Sequence, residues 1–93
     1  MRGPMTTKTW IVQVTLDEDG DDTRADAAIS IGNKLELRGR GMSRRNPHDE
    51  SEPRIGDELA TARALSDLAH QLLATAASDI ESKTHVPAKS LQL

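Results

Sequence analysis

The sequence predicts an α+β fold, a three-stranded antiparallel meander packed on one long C-terminal helix, with a short terminal helix after it. Three observations carry this. The first 42 residues hold three runs of alternating apolar and polar residues separated by turn-forming dipeptides. From Ile55 to Ala77 the apolar residues recur at helical spacing. Nothing else in the chain is long and apolar enough to cover one face of the strands.

The first run, residues 9–16, is rich in β-branched side chains and places Trp10, Val12, Val14 and Leu16 on one face, with Trp10 directed into the core. Residues 23–31 align Ala25, Ala27, Ile29 and Ile31, and residues 35–42 align Leu35, Leu37, Gly39 and Gly41. Asp19-Gly20 suits a two-residue type I′ hairpin because both residues tolerate positive φ. That turn sets Val14 opposite Ala25, Val12 opposite Ala27 and Trp10 opposite Ile29. For the second turn, a two-residue Gly32-Asn33 loop would set Ile31 against Lys34 and mix the faces. A three-residue loop through Lys34 sets Ile31 against Leu35 and Ala27 against Gly39, so it is preferred. The rows through Ala25–Gly41 and Ala27–Gly39 are then made of small residues, which lets the helix approach the sheet backbone closely.

Pro53 marks the end of the loop before the helix, and Asp57 or a neighbour is expected as its cap. Ile55, Leu59, Ala62, Leu65, Ala69, Leu72 and Ala76 form the stripe expected to face the sheet, with Leu68 and Leu73 widening it. Ser78-Asp79-Ile80-Glu81 has the form of a capping box, which starts a short second helix or a kinked extension ending near Thr84, before Pro87.

Ninety-three residues make one domain with a single core, burying only about 60–65% of the surface of the extended chain. Residues 1–7 are expected to be a disordered tail or a cloning remnant, 8–87 the single domain and 88–93 a frayed end. The absence of cysteine excludes disulfides, iron–sulfur clusters and thiol nucleophiles. No apolar run approaches the roughly 18 residues of a membrane span, and no signal peptide is evident, so a cytoplasmic protein is expected.

The net charge of −3 hides a segregation along the chain. Residues 17–26 hold six acids and one arginine, and residues 49–58 five acids and one arginine. Between them lies a basic band of Lys34, Arg38, Arg40, Arg44 and Arg45, opposed only by Glu36. This band is the candidate nucleic-acid surface, a strip for phosphate contacts. Its competitor is a set of cross-strand ion pairs, because the register sets Arg40 opposite Asp26. The first strand offers a second candidate. Its apolar edge invites pairing with another chain, and a two-fold dimer would bury Trp10, Ile11, Val12, Gln13 and Ala28.

Ser66, Asp67 and His70 lie within about one helical turn, without the oxyanion site or cleft a nucleophile needs. Asp67 with His70, and His48 with Asp49, supply too few ligands for a stable metal site. His85 is read as fixing the C-terminal turn. No enzyme, metal, cofactor or small-molecule substrate is expected.

Five strings extend this reading: Gly39-x-Gly41, Arg44-x-Asn46-Pro47-x-Asp49, Pro53-x-Ile55-Gly56-Asp57-Glu58-Leu59, Ala62-Arg63-Ala64-Leu65-Ser66-Asp67-Leu68, and Asp79-Ile80-Glu81-x-x-Thr84-His85-x-Pro87. Together they resemble a small actinobacterial family of single-domain proteins. The resemblance implies a fold like that of double-stranded-RNA-binding domains, a tendency to form homodimers, and a likeness to ribosome hibernation-promoting factors associated with stress or dormancy. It assigns no functional residues. The departure from the RNA-binding pattern is local, since Asp57 and Glu58 stand at the helix start where such domains present lysines. The expected function is therefore a non-enzymatic, homodimeric factor that binds a ribosome or structured RNA. The alternative is a protein-interaction module with no nucleic-acid role.

Overall fold

Gly20 and Gly32, both at φ +62°, open the two turns of a meander that a single helix then covers from one side. The computed structural model describes residues 3–32, 35–46 and 52–85. Strands β1 (Val12–Asp19), β2 (Asp22–Ile31) and β3 (Leu35–Arg44) are followed by helix α1 (Pro53–Thr84). The strands form one antiparallel sheet in the order β1-β2-β3, and the architecture is the α+β class expected.

The second hairpin has the expected register, with Ile31 opposite Leu35, Ile29 opposite Leu37 and Ala27 opposite Gly39. The first hairpin is shifted by two residues. Leu16 faces Ala25, Val14 faces Ala27 and Val12 faces Ile29, so β1 runs three residues further than predicted and Gly20-Asp21 forms the loop. Of those two, only Gly20 has positive φ, the sign pattern of a type II′ turn rather than type I′. The reason is tertiary. The Arg45 N–H donates to the Asp21 carbonyl at 2.8 Å and its guanidinium holds the Asp21 carboxylate at 2.6 Å, which pins Asp21 in the turn. A shift by two preserves the alternation, so Val12, Val14 and Leu16 keep the inward face assigned to them.

Trp10 is the correction that matters. It precedes β1, is 59% exposed and does not enter the core. The helix lies over β2 and β3 and reaches little of β1, so nothing among the described residues buries the inward side of the first strand at that end.

Helix α1 also presents a different stripe to the sheet. Ala60, Ala64 and Leu68 are buried with Ala25, Ala27 and Ile29, and Leu72, Leu37, Ile31 and Val14 pack around them. Of the larger residues in the expected stripe, Leu68 and Leu72 do meet the sheet, whereas Ile55, Leu59 and Leu65 are exposed. Close approach decides this rotation. A Cβ on Gly39 would collide with the Ala64 carbonyl and amide nitrogen of Leu68 and lie 2.8 Å from the Leu68 Cα, and one on Gly41 would lie 2.7 Å from the Arg63 Cβ. At that separation Ala60, Ala64 and the backbone of Leu68 meet the two glycines. The small-residue rows act as expected, by drawing the alanine face inward at the expense of the leucine face.

The second polar device is on the flank of α1. Arg63 donates to the Met42 carbonyl at 2.7 Å, Asp67 accepts from the Arg40 N–H at 2.8 Å, and Gln71 donates to the Arg38 carbonyl at 2.6 Å. Four helix residues advance about 6 Å and two strand residues about 6.6 Å, so an i, i+4, i+8 triad matches every second residue of an antiparallel strand. These side chains occupy the outer edge of β3, groups that would otherwise be open to another chain. Asp67→Ala should cost about 1–2 kcal/mol in urea unfolding, and Asp67→Asn, which keeps an acceptor, should recover most of it.

The helix begins at Pro53 in its first turn, after Glu52, whose side chain makes no cap hydrogen bond. Asp57 is therefore inside the helix and caps nothing. Among the described residues no separate terminal helix is present: α1 continues to Thr84 and stops at His85, a left-handed residue whose N–H donates to the Glu81 carbonyl. No glycine or proline lies between Asp57 and Val86, so the capping-box pattern at Ser78 has no breaker to act on. Lys34, His48, Asp49, Pro87 and the tails 1–2 and 88–93 fall outside the described residues.

Candidate interaction surface

Strand pairing cancels much of the charge segregation along the chain, leaving Glu18 and Asp19 at the β1 end without an arginine across from them. The meander lays the acidic segment 17–26 beside the basic segment 38–45, and each acid on the outer face of β2 meets an arginine of β3. Asp26 holds Arg38 at 3.1 Å and Arg40 at 3.7 Å; Glu36 also holds Arg38, at 3.2 Å. Asp22 holds Arg44 at 3.3 Å, and Asp21 holds Arg45. All four arginines of the candidate nucleic-acid strip that lie among the described residues are thus in ion pairs. Their geometry is that of a solvated lattice of both signs, although the Arg40 side chain stays 79% exposed. Such pairs at a surface add little stability. Their consequence here is electrostatic, because a phosphate approaching the strip meets a carboxylate within about 4 Å of each guanidinium.

A shallow depression on the same face, lined by Asp17, Arg24, Asp26, Arg40 and Met42, has the same mixed sign. Among the described residues no group of three His, Cys, Asp or Glu side chains is gathered as a metal site. Ser66, Asp67 and His70 have structural contacts instead. Asp67 faces the β3 edge, and the His70 ring Nδ1 sits 2.7 Å from the Ser66 carbonyl oxygen.

The five residues of the candidate dimer surface lie together at one corner without sharing a face. Trp10 and the 78% exposed Ile11 belong to the segment before β1, and Val12 opens β1 on the inward side. Gln13 pairs with Ala28 on the outer side, in the row that ends at Arg38. Four of them lie on β1 or lead into it, and Ala28 lies behind Gln13 on the central strand; the edge of β1 itself is free among the described residues. With β3 closed by Arg63, Asp67 and Gln71, this is the open edge among the described strands, and it is flanked inward by the partly exposed Val12 and Leu16. Leu16 was not singled out from the sequence, because its importance depends on where the helix stops covering the sheet. The flank triad was also missed; its signal is the i, i+4, i+8 recurrence of Arg63, Asp67 and Gln71, which any solvated helix face can imitate.

A family model described as Rv2632c-like matches residues 8–89. Uncharacterized protein Rv2632c of Mycobacterium tuberculosis (strain ATCC 25618 / H37Rv) is 48% identical over 84 residues, which cover 90% of this chain and 89% of the relative. Uncharacterized protein Mb1767 of Mycobacterium bovis is 48% identical over 82 residues, covering 88% and 86%. The crystal structure of Rv2632c is similar with a TM-score of 0.82 at 46% identity, covering 91% of this chain and 100% of that one.

Proposed function

The chain belongs to the Rv2632c-like family, and on that footing we propose that it is a non-enzymatic protein-binding module whose recognition element is the open edge of β1. The observation that supports this is the asymmetry of the two sheet edges: one is occupied by helix side chains, the other is bare among the described residues and bordered by apolar ones. An extended partner segment adds to such an edge by main-chain hydrogen bonds, and alternate side chains supply the specificity. Trp10, Val12 and Leu16 supply the apolar contacts on the inward side. Asp17, Glu18 and Asp19 at the far end select a partner strand with basic residues there. The working compartment is the cytoplasm, in keeping with the lack of any described helix long and apolar enough to cross a membrane.

The reading as a stress-associated ribosome or RNA factor, with the likeness to double-stranded-RNA-binding domains, is the second candidate, and the pairing of its arginine strip argues against giving it first place. One experiment separates them. Cross-linked capture from a cell extract should be lost in Leu16→Glu and unaffected in an Arg38/Arg40/Arg44/Arg45→Ala variant. Capture of RNA or ribosomes that survives Leu16→Glu, weakens with salt and vanishes in the arginine variant would reverse the order.

A further inference from the structure

We propose that the outward face of α1 is a self-pairing seam, through which two copies of this chain join with their helices antiparallel about a two-fold axis. The pairing would display the β1 edge twice; only that consequence rests on the function proposed above, whereas the pairing stands on the helix itself.

The seam follows from the rotation of α1. With Ala60, Ala64 and Leu68 against the sheet, the opposite side of the helix carries positions that alternate at steps of four and three from Ile55 to Ile80. That is the a/d spacing of a helix pair, and all but one of these positions are apolar. Ile55 is 56% exposed and Ile80 44%, and every residue from 78 to 84 is exposed. The C-terminal turns have left the sheet, so their apolar residues have nothing among the described residues to cover them. A helix owes most of its stability to such cover.

The spacing pattern also names the occupant. About a two-fold axis between Asp67 and Leu68, an antiparallel copy sets Ile55 against Ile80, Leu59 against Ala76, Ala62 against Leu73 and Ser66 against Ala69. Large meets small in the inner layers, as close packing requires. A parallel copy would set alanine on alanine and leucine on leucine, leaving voids between crowded layers. One step beyond each end, Glu52 and Lys83 occupy the next seam positions and face each other with opposite charge. The overhanging turns of each copy then lie on the sheet-supported turns of the other. One rim contact opposes the pairing, because Glu58 comes beside Asp79 of the second copy.

Sedimentation equilibrium of the full chain should give twice the 10.1 kDa of one copy. Ala62→Glu, at an exposed position, should weaken pairing by about 30-fold or more with an unchanged circular dichroism spectrum. Asp79→Lys should tighten it about threefold by turning the rim repulsion into attraction. Because the chain has no cysteine, a spin label on Ser82→Cys reports the orientation: about 43 Å between labels for antiparallel helices, against about 10 Å for parallel ones. A monomer at the highest soluble concentration, a short label distance, or a dimer indifferent to Ala62→Glu and broken by Leu16→Glu would each overturn the proposal. The two readings fail separately, since Leu16→Glu should abolish partner capture without altering the mass, and Ala62→Glu should alter the mass.

Discussion

Gly39→Val should leave the chain unfolded at 25 °C. A Cβ at this position already collides with the Ala64 carbonyl and the backbone of Leu68, and these are main-chain atoms of a helix that cannot give way locally. Relief requires lifting α1 off the sheet by more than a methyl radius, which opens the contacts of Ala27, Ala64 and Leu68 together. Overpacking a flexible core costs about 1–3 kcal/mol; here no side chain can rotate aside, and the cost should exceed that range. For a domain of this size the total stability is about 5–14 kcal/mol, and this core sits toward the lower end because most of its buried side chains are alanines. Circular dichroism and one-dimensional NMR would show the loss directly. Gly20→Ala makes the control: nothing crowds its Cβ position, so only the strain of positive φ is added, about 1 kcal/mol.

Leu68→Ala should cost about 3–5 kcal/mol in urea unfolding, the upper part of the range for a buried leucine. Leu68 is 2% exposed and is the one large side chain that α1 buries fully enough to count as core. The cost of such a deletion depends on how far the surroundings collapse into the space left. Collapse is blocked here, since the helix and β3 already touch backbone to backbone at Gly39. Leu65→Ala, three residues earlier on an exposed face, should cost less than about 1 kcal/mol. Near-equal losses at the two positions would mean that the helix is rotated from the placement described.

Local pattern carried the architecture. The strand count, the inward sets on β2 and β3, the second hairpin register and the close approach at Gly39 and Gly41 all follow from alternation, turn residues and side-chain size. These are properties of neighbours in the chain. The first hairpin escaped because Asp19-Gly20 and Gly20-Asp21 are both acceptable turns locally, and the choice is made by Arg45, more than twenty residues away. The ends of α1 escaped for a related reason: Pro53 and Ser78 are ambiguous signals until the chain around them is placed.

The candidate site was legible only as inventory. Arg38, Arg40 and Arg44 are a basic band in the sequence and members of ion pairs in the fold, because antiparallel pairing brings Asp22 and Asp26 beside them. Trp10 reads as a core residue by parity alone and is exposed because the helix does not reach the end of β1.

By itself, then, the sequence determined the class of the fold, the faces of its strands and the place where helix and sheet would touch most closely. The rotation of α1 about its axis was left to the tertiary structure, and with it the choice of which apolar residues are buried and which are offered outward. The physical reason is that periodicity locates every apolar stripe of a helix equally well, whereas the distance of approach between two backbones selects among them by volume. Here Gly39 and Gly41 bring the backbone of β3 against α1 at Ala60, Ala64 and Leu68, and the surfaces left for partners follow from that single steric selection.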